Sequence, residues 1–520
     1  MMVFVYLIGL IALFITIYIA RELRIYLRIQ EFSKIEGVKT HYSPMITYLF
    51  SVQQDQTNGD ALDSMRKHFT SKDSDFLACS NFSRIQMMVY PISSKACTEF
   101  FRKEKEYTVR HNNSGVDKLF GLIFQTGEEK DKNRLLFSKI FQKDNMARLM
   151  PRFREIVRIH FSKLEKKLKK SAEKSNQKTQ KNEILVDLRP DMMDKMFEDL
   201  SIYIAFKKTS DQIDKVFGKS FVQAQTDNFN AYTNLMFSTI NAVTMGLAVA
   251  WGFDPNIKLI KRNLKRMREI CAQECNARLA EAVNGAVLGQ TMLDELIRYN
   301  LDKKNADKII SLVDAAALME AFVFGASDTT KHGSTGFISN MAMNPEIQQK
   351  FQKKMSEEIK EDYSMENLLE NKFLDAMVKE SMRLIPPAAV TFDRVLVKDM
   401  ELGGMQLKRG DMVCIPIVSL ENDPVYFPNP EVFDQDRWLK EGQESKYPKI
   451  PKNNYIPFLN GPNNCVGRLL GELMVKMVVV EFFRRFEVRK ESEDWKMNID
   501  FQPNYGVTNA RFYVSLSEGK

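Results

Sequence analysis

Cys465 is the residue whose type and setting carry the most chemistry in this chain. It lies in Phe458-Leu459-Asn460-Gly461-Pro462-Asn463-Asn464-Cys465-Val466-Gly467-Arg468, a turn-forming stretch followed at once by the apolar run 469–483. That run predicts a helix, so the sulfur sits just before a helix N-terminus. Free N–H groups and positive partial charge there stabilise a thiolate. Gly467 removes the side chain that would block a flat ligand from the sulfur, and Phe458 supplies an apolar wall on the same loop. Thiolates in such places are nucleophiles or metal ligands. A buried structural cysteine is the plainer alternative.

Two helical segments add candidates. In Ala321-Phe-Val-Phe-Gly325-Ala326-Ser-Asp328-Thr329-Thr330, Gly325 and Thr329 are four residues apart and share a face. Thr329 can turn back to the Gly325 carbonyl and open a groove in the helix, with Asp328 beside it as an acid. A core helix with a small-residue crossing point is the alternative. In the segment 372–385, Glu380 falls on the same apolar stripe as Phe373, Met377 and Leu384, so burial is expected. A buried ion needs a partner, and Arg383, one turn on, can reach it. A flat apolar approach to a thiolate suits haem iron better than zinc or a peptide substrate.

Together these segments resemble the cytochrome P-450 superfamily of haem-thiolate monooxygenases. Phe458, Gly461, Cys465 and Gly467 match its pattern Phe-x-x-Gly-x-Arg-x-Cys-x-Gly, with Asn463 where the family usually has Arg or His. Gly325 to Thr330 matches the oxygen-activating helix, with Ala326 replacing the second Gly. Glu380 and Arg383 match Glu-x-x-Arg, and Arg437 in Phe433-Asp-Gln-Asp-Arg437-Trp438 matches the third member of that triad. Arg394 stands where the family places a propionate-binding Arg, and Arg134 matches Trp-x-x-x-Arg with Lys130 in place of the Trp.

The resemblance implies a mainly α fold with small β-sheets and haem b buried between two long helices. It makes Cys465 the axial iron ligand and Asp328 and Thr329 the proton-delivering pair. Arg394, Arg134, Phe458, Gly461, Gly467, Gly325 and Ala326 become cofactor-binding residues, and Glu380, Arg383 and Arg437 a structural triad. It further implies O2 as co-substrate, a lipophilic substrate, and electrons from a NADPH-dependent reductase, with cytochrome b5 as an auxiliary donor. The chain itself carries no Gly-x-Gly-x-x-Gly fingerprint for a nicotinamide or flavin. The alternatives are a haem-thiolate isomerase or dehydratase, and a non-catalytic haem-binding membrane protein. If Asn463 weakens haem binding, Asn463→Arg is expected to slow haem loss.

The 520 residues carry a net charge of +8, which suits an anionic membrane surface and acidic electron-transfer partners; no nucleic-acid motif is visible. Residues 1–20 hold no charge and are followed by Arg21, Arg24 and Arg28. Their length and flanking charge predict a transmembrane anchor at 1–20 with a cytosolic body. The expected organisation is that anchor, a linker over 21–50, and a catalytic domain over 51–520. The endoplasmic reticulum is the membrane the resemblance implies. Segment 235–253, also uncharged, reads as an element dipping into the bilayer surface. Cys79, Cys97, Cys271, Cys275, Cys414 and Cys465 show no disulfide spacing, in keeping with a reducing compartment. Strands are expected within 390–417, and a closing hairpin over 498–516.

Overall fold

Several helices start where the sequence offers a side chain to cap free N–H groups. Ser93 accepts from the Ala96 N–H, Thr291 and Ser311 each accept from an Asp N–H three residues on, and Asn371 accepts from the Leu374 N–H. The computed structural model describes residues 2–42, 74–81, 86–110, 127–174, 183–236, 254–289, 291–302, 304, 311–391, 393–439, 446–502 and 504–517. Residues 237–253, most of the segment read as dipping into a bilayer, lie outside these.

The first helices are α1 (Met2–Phe32), α2 (Ser94–Tyr107), α3 (Gly127–Ile140), α4 (Lys143–Lys174) and α5 (Asp194–Phe206). Then come α6 (Ser210–Phe217), α7 (Phe221–Met236), α8 (Pro255–Val283), α9 (Met292–Leu301) and α10 (Leu312–Met343). The rest are α11 (Pro345–Glu358), α12 (Met365–Glu370), α13 (Lys372–Leu384), α14 (Ile417–Glu421) and α15 (Arg468–Phe483).

The strands are short. β1 (Val38–His41), β2 (Phe76–Asn81), β3 (Gln86–Pro91), β4 (Thr108–Arg110), β6 (Arg394–Leu396) and β9 (Met412–Val413) form one sheet in the order β1-β2-β3-β9-β6-β4. β5 (Glu183–Asp187), β10 (Phe486–Lys490) and β13 (Arg511–Leu516) form a second, ordered β10-β13-β5. β7 (Met400–Leu402) pairs with β8 (Met405–Leu407), and β11 (Ile499–Gln502) with β12 (Asn504–Val507).

The closing hairpin is therefore shorter than the sequence reading had it. Residues 499–502 pair with 504–507, and β13 leaves to lie between β10 and β5. The reason is apolar alternation. Phe512 and Val514 are fully buried on the face that meets Phe486 and Val488. Asn509 anchors the bend between them, accepting from the Asn498 N–H and donating to the Lys496 carbonyl.

α10 is the axis of the helical region, packing against α5, α7, α8, α13 and α15. Phe337 on α10 meets Phe351 and Phe483 at centroid distances of 5.2 and 6.0 Å, joining α10, α11 and α15. Each such ring removed from water contributes about 2–3 kcal/mol, and this core holds α10 against the loop that precedes α15.

α1 runs past residue 20 without a break. Its second half buries Ile25, Ile29 and Phe32 against the six-stranded sheet. Arg28 forks onto Asp411 at 2.8 and 2.6 Å, and Tyr42 donates to Glu22 at 2.9 Å. Among the described residues no helix is long and apolar enough to cross a membrane; the side chains of residues 2–8, 10, 11, 14 and 18 are not among them.

Candidate functional site

The Cys465 loop turns sharply at two left-handed positions, Leu459 (φ 59°) and Gly461 (φ 79°). A Cβ on Gly461 would lie 2.7 Å from Phe101 Cδ1, so the turn needs glycine for space as well as conformation. The Cys465 N–H donates to the Phe458 carbonyl at 2.8 Å and closes the loop. Gly467 is the N-cap of α15, and a Cβ there would come 3.9 Å from Cys465 Sγ and 4.0 Å from Phe141 Cζ. Cys465 is exposed on one side and enclosed by protein elsewhere. Burial pushes its thiol pKa up, while the Gly467 N–H, Arg134, Arg110 and Arg468 pull it down.

α10 meets this loop on two sides. Behind it, a Cβ on Gly471 would lie 3.2 Å from Phe458 and 3.8 Å from Thr330. Beside it, Phe141 stacks on Phe322 at 5.9 Å, and Phe137 stacks on both. One turn beyond Phe322, Gly325 is exposed although its neighbours on α10 are buried, and a Cβ there would meet nothing within 4 Å. Thr329 Oγ1 donates to the Gly325 carbonyl at 3.0 Å, and Thr330 Oγ1 to the Ala326 carbonyl at 2.5 Å. The helix thus presents open space and a hydroxyl on one face.

Asp328 is buried, and its carboxylate is held by Lys331 Nζ at 2.9 Å. Lys331 also reaches Asp194, the first residue of α5, at 3.1 Å. His332 Nδ1 donates to the Asp328 carbonyl at 2.7 Å, and burial holds that imidazole below its ordinary pKa.

A cluster of cations lies at the edge of the Cys465 loop. Arg394 Nε donates to Glu104 Oε1 at 2.6 Å, both side chains buried. Asn463 Nδ2 donates to the same oxygen at 2.7 Å, and Lys130 Nζ donates to Asn463 Oδ1 at 2.8 Å. Arg134 donates to the Asn464 carbonyl at 2.9 Å and to its Oδ1 at 2.8 Å. Arg110 lies directly across the ladder from Arg394. Burial, Arg394 and Arg134 push its pKa down to about 9. Four cations therefore surround one buried carboxylate, with Asp131 exposed on the rim beside Lys105. Such an excess of cations among the described residues, Arg394 buried and the others partly exposed, is the setting of an anion site.

On the far side of the loop, Glu380 is fully buried and its carboxylate is saturated. Arg383 donates to both oxygens at 2.9 and 2.8 Å, Arg437 Nε at 3.1 Å, Trp438 Nε1 at 2.9 Å and the Asp434 N–H at 3.0 Å. Arg383 spends its remaining donors on the Glu421 and Val432 carbonyls and on Asn422 Oδ1, and Arg437 donates to the Asn429 carbonyl.

The family model for cytochrome P450 matches residues 43–516. The chain belongs to the cytochrome P450 family. Cytochrome P450 3A18 of Rattus norvegicus is 32% identical over 207 residues, 39% of this chain and 41% of that protein. The probable cytochrome P450 4d21 of Drosophila melanogaster is 28% identical over 221 residues, 42% of each. The matched stretch thus spans about two-fifths of the curated relatives' length. Among solved structures, retinoic acid bound cyanobacterial CYP120A1 superposes with a TM-score of 0.68 at 16% identity, covering 89% of this chain and 96% of that one. At that identity the likeness is one of fold.

In this P450 the residues singled out from sequence fall into three groups. Cys465, Phe458, Gly461 and Gly467 share one loop, and α10 reaches its surroundings through Phe322 and Thr330, the residues on either side of Gly325, Ala326 and Thr329. Arg394 and Arg134 both reach its edge, by way of Glu104 and Asn464. Glu380, Arg383 and Arg437 form their own cluster. The sequence reading missed Glu104 and Arg110, which come from α2 and β4, and the Phe137–Phe141–Phe322 stack. It also missed Lys331, whose spacing from Asp328 was legible as an i, i+3 ion pair.

Proposed function

We propose that this P450 is a haem-thiolate monooxygenase that inserts one oxygen atom of O2 into a lipophilic small molecule, with electrons from a separate reductase. The observation that carries this reading is the exposed Cys465 on a loop whose surroundings pack against α10, beside a cluster with more cations than carboxylates among the described residues. Haem b fits that arrangement: it needs one axial ligand, a flat apolar slot and cations for two carboxylates. Cys465 would hold the iron. Arg394, Arg110, Arg134 and Lys130 would hold the carboxylates. When bound, haem supplies the iron at which O2 is reduced, and a thiolate ligand favours O–O cleavage.

The chain's own residues supply the rest. Thr329 Oγ1 holds a proton on the open face of α10, and Asp328 is the acid that replenishes it, with Lys331 and Asp194 as its link outward. Phe322, Phe141 and Phe137 exclude water from the slot between α10 and the loop. The Glu380–Arg383–Arg437 cluster keeps the segments behind the loop rigid. Pro387 packs against α10, 3.5 Å from where a Gly333 Cβ would lie, so the small residues that follow it border the space by α10. That character supports a lipophilic substrate. The uncharged residues 1–20 with Arg21, Arg24 and Arg28 support a membrane anchor, a cytosolic catalytic domain and residence in the endoplasmic reticulum.

The test is the reduced carbon monoxide difference spectrum of detergent-solubilised protein beside Cys465→Ser. A strongly red-shifted Soret band that is lost in the variant is the expected result. A band unchanged by the substitution, or no haem in the native protein, would overturn the reading.

A further inference from the structure

Position 130 lacks the family's tryptophan, and position 463 lacks its cationic residue. Although 333 residues apart, the two touch: Lys130 Nζ donates to Asn463 Oδ1 at 2.8 Å. The Asn463 amide is buried and its orientation is forced. Lysine has only donors and a carboxylate only acceptors, so the oxygen must face Lys130 and the nitrogen must face Glu104. Each departure suits the other. An arginine at 463 could not accept from Lys130, and its charge would press on Lys130 and on Arg394, which shares Glu104 Oε1 with Asn463. A tryptophan at 130 would bring no charge to a loop whose own position 463 is neutral.

We propose that Lys130 and Asn463 work as one unit, in which Lys130 supplies the cation that holds a carboxylate arm of the haem and Asn463 aims it. This rests on the haem reading above. The cation usual to the loop is here carried by α3, so the pair also ties α3 to the Cys465 loop. The sequence-based expectation is reversed: Asn463→Arg alone should speed haem loss, because it breaks the aim and adds repulsion.

The experiment is first-order haem transfer to excess apomyoglobin from the native protein, Lys130→Trp, Asn463→Arg, the double variant and Lys130→Arg. A lost charge-assisted contact predicts about tenfold faster transfer for the Trp and Asn463→Arg variants. The double variant, with one cation and one neutral donor again, should return to within about twofold of the native rate. Lys130→Arg, which keeps the charge, should stay near native. Slower loss from Asn463→Arg, or a double variant whose rate is the product of the single effects, overturns the pairing. If Lys130→Trp does not fold, Lys130→Met keeps the stem without the charge, and an unchanged rate there overturns it equally. Native protein that takes up no haem overturns the haem reading; haem-loaded protein indifferent to these variants overturns only the pairing.

Discussion

Two ion clusters flank the Cys465 loop, and they are built on opposite rules. Around Glu380, one carboxylate receives five hydrogen bonds, and both arginines also donate to backbone carbonyls. Around Glu104, one carboxylate serves Arg394 and Asn463, with Arg110, Arg134 and Lys130 crowded beside it. The first cluster is closed around its carboxylate, although Arg437 Nη1 has no hydrogen-bond partner among the described residues. Among the described residues the second sets four cations about one carboxylate, and burial with Arg394 and Arg134 depresses Arg110. A closed cluster holds structure, whereas an overcharged one is prepared for an anion.

The largest effect that would separate them is on Glu380. Glu380→Ala leaves Arg383 and Arg437 buried without their shared counter-ion and should cost about 3–5 kcal/mol. The loss should be the same with and without haem, read as the fall in thermal midpoint of both forms. A smaller loss in the haem-loaded protein would mean that this cluster too is coupled to the cofactor.

Glu320 on α10 calibrates what an undersupplied carboxylate does. It is fully buried, with Gln225 donating to it and Arg268 at 3.5 Å, and burial raises its pKa from 4.5 to about 7. Asn228 and Asn263 extend the network from α7 and α8, with the Cys271 thiol nearby. Between those pH values the folded chain keeps a proton that the unfolded chain releases. The stability contributed by Glu320 is therefore fully present below pH 4.5 and is lost as pH rises through 7, by up to about 3 kcal/mol. Denaturant titrations across that range should show this slope in the native protein and its loss in Glu320→Gln. A slope that survives the substitution would assign it to other groups.

The smallest effect is at Glu104. Glu104→Gln should cost the haem-free protein about 2 kcal/mol, because buried Arg394 loses a charged partner. Haem should narrow that gap by supplying anionic charge. If the gap is equal in both forms, the overcharged cluster is structural and the distinction between the regions falls.

What was legible in the sequence is what local spacing encodes. Glu380 and Arg383 are one turn apart on an apolar stripe, so burial and pairing could both be read from one segment. The Cys465 loop announces itself by its turn residues and the helix after it. Gly325 and Thr329 share a face by the same arithmetic. The mainly helical fold with small sheets was legible only through the resemblance these motifs carry, whereas the short strands around 400 could be read from their own segment. Glu104 was illegible, because its role depends on Arg394, 290 residues away. Asn463 looked like a defect for the same reason: its partner Lys130 cannot be seen from the loop. β13 was misassigned to the preceding hairpin because alternation shows which face of a strand is buried, not which neighbour buries it.

α1 is one uninterrupted helix whose later turns are fastened to the six-stranded sheet by Ile25, Ile29, Phe32 and the Arg28–Asp411 fork. Whatever grips its first turns therefore grips the whole molecule through a stiff shaft. One residue inserted into that shaft would swing the body by about 100° and lift it by about 1.5 Å. The azimuth of the body about α1 is thus written into the spacing between those turns and Ile25, as a phase angle.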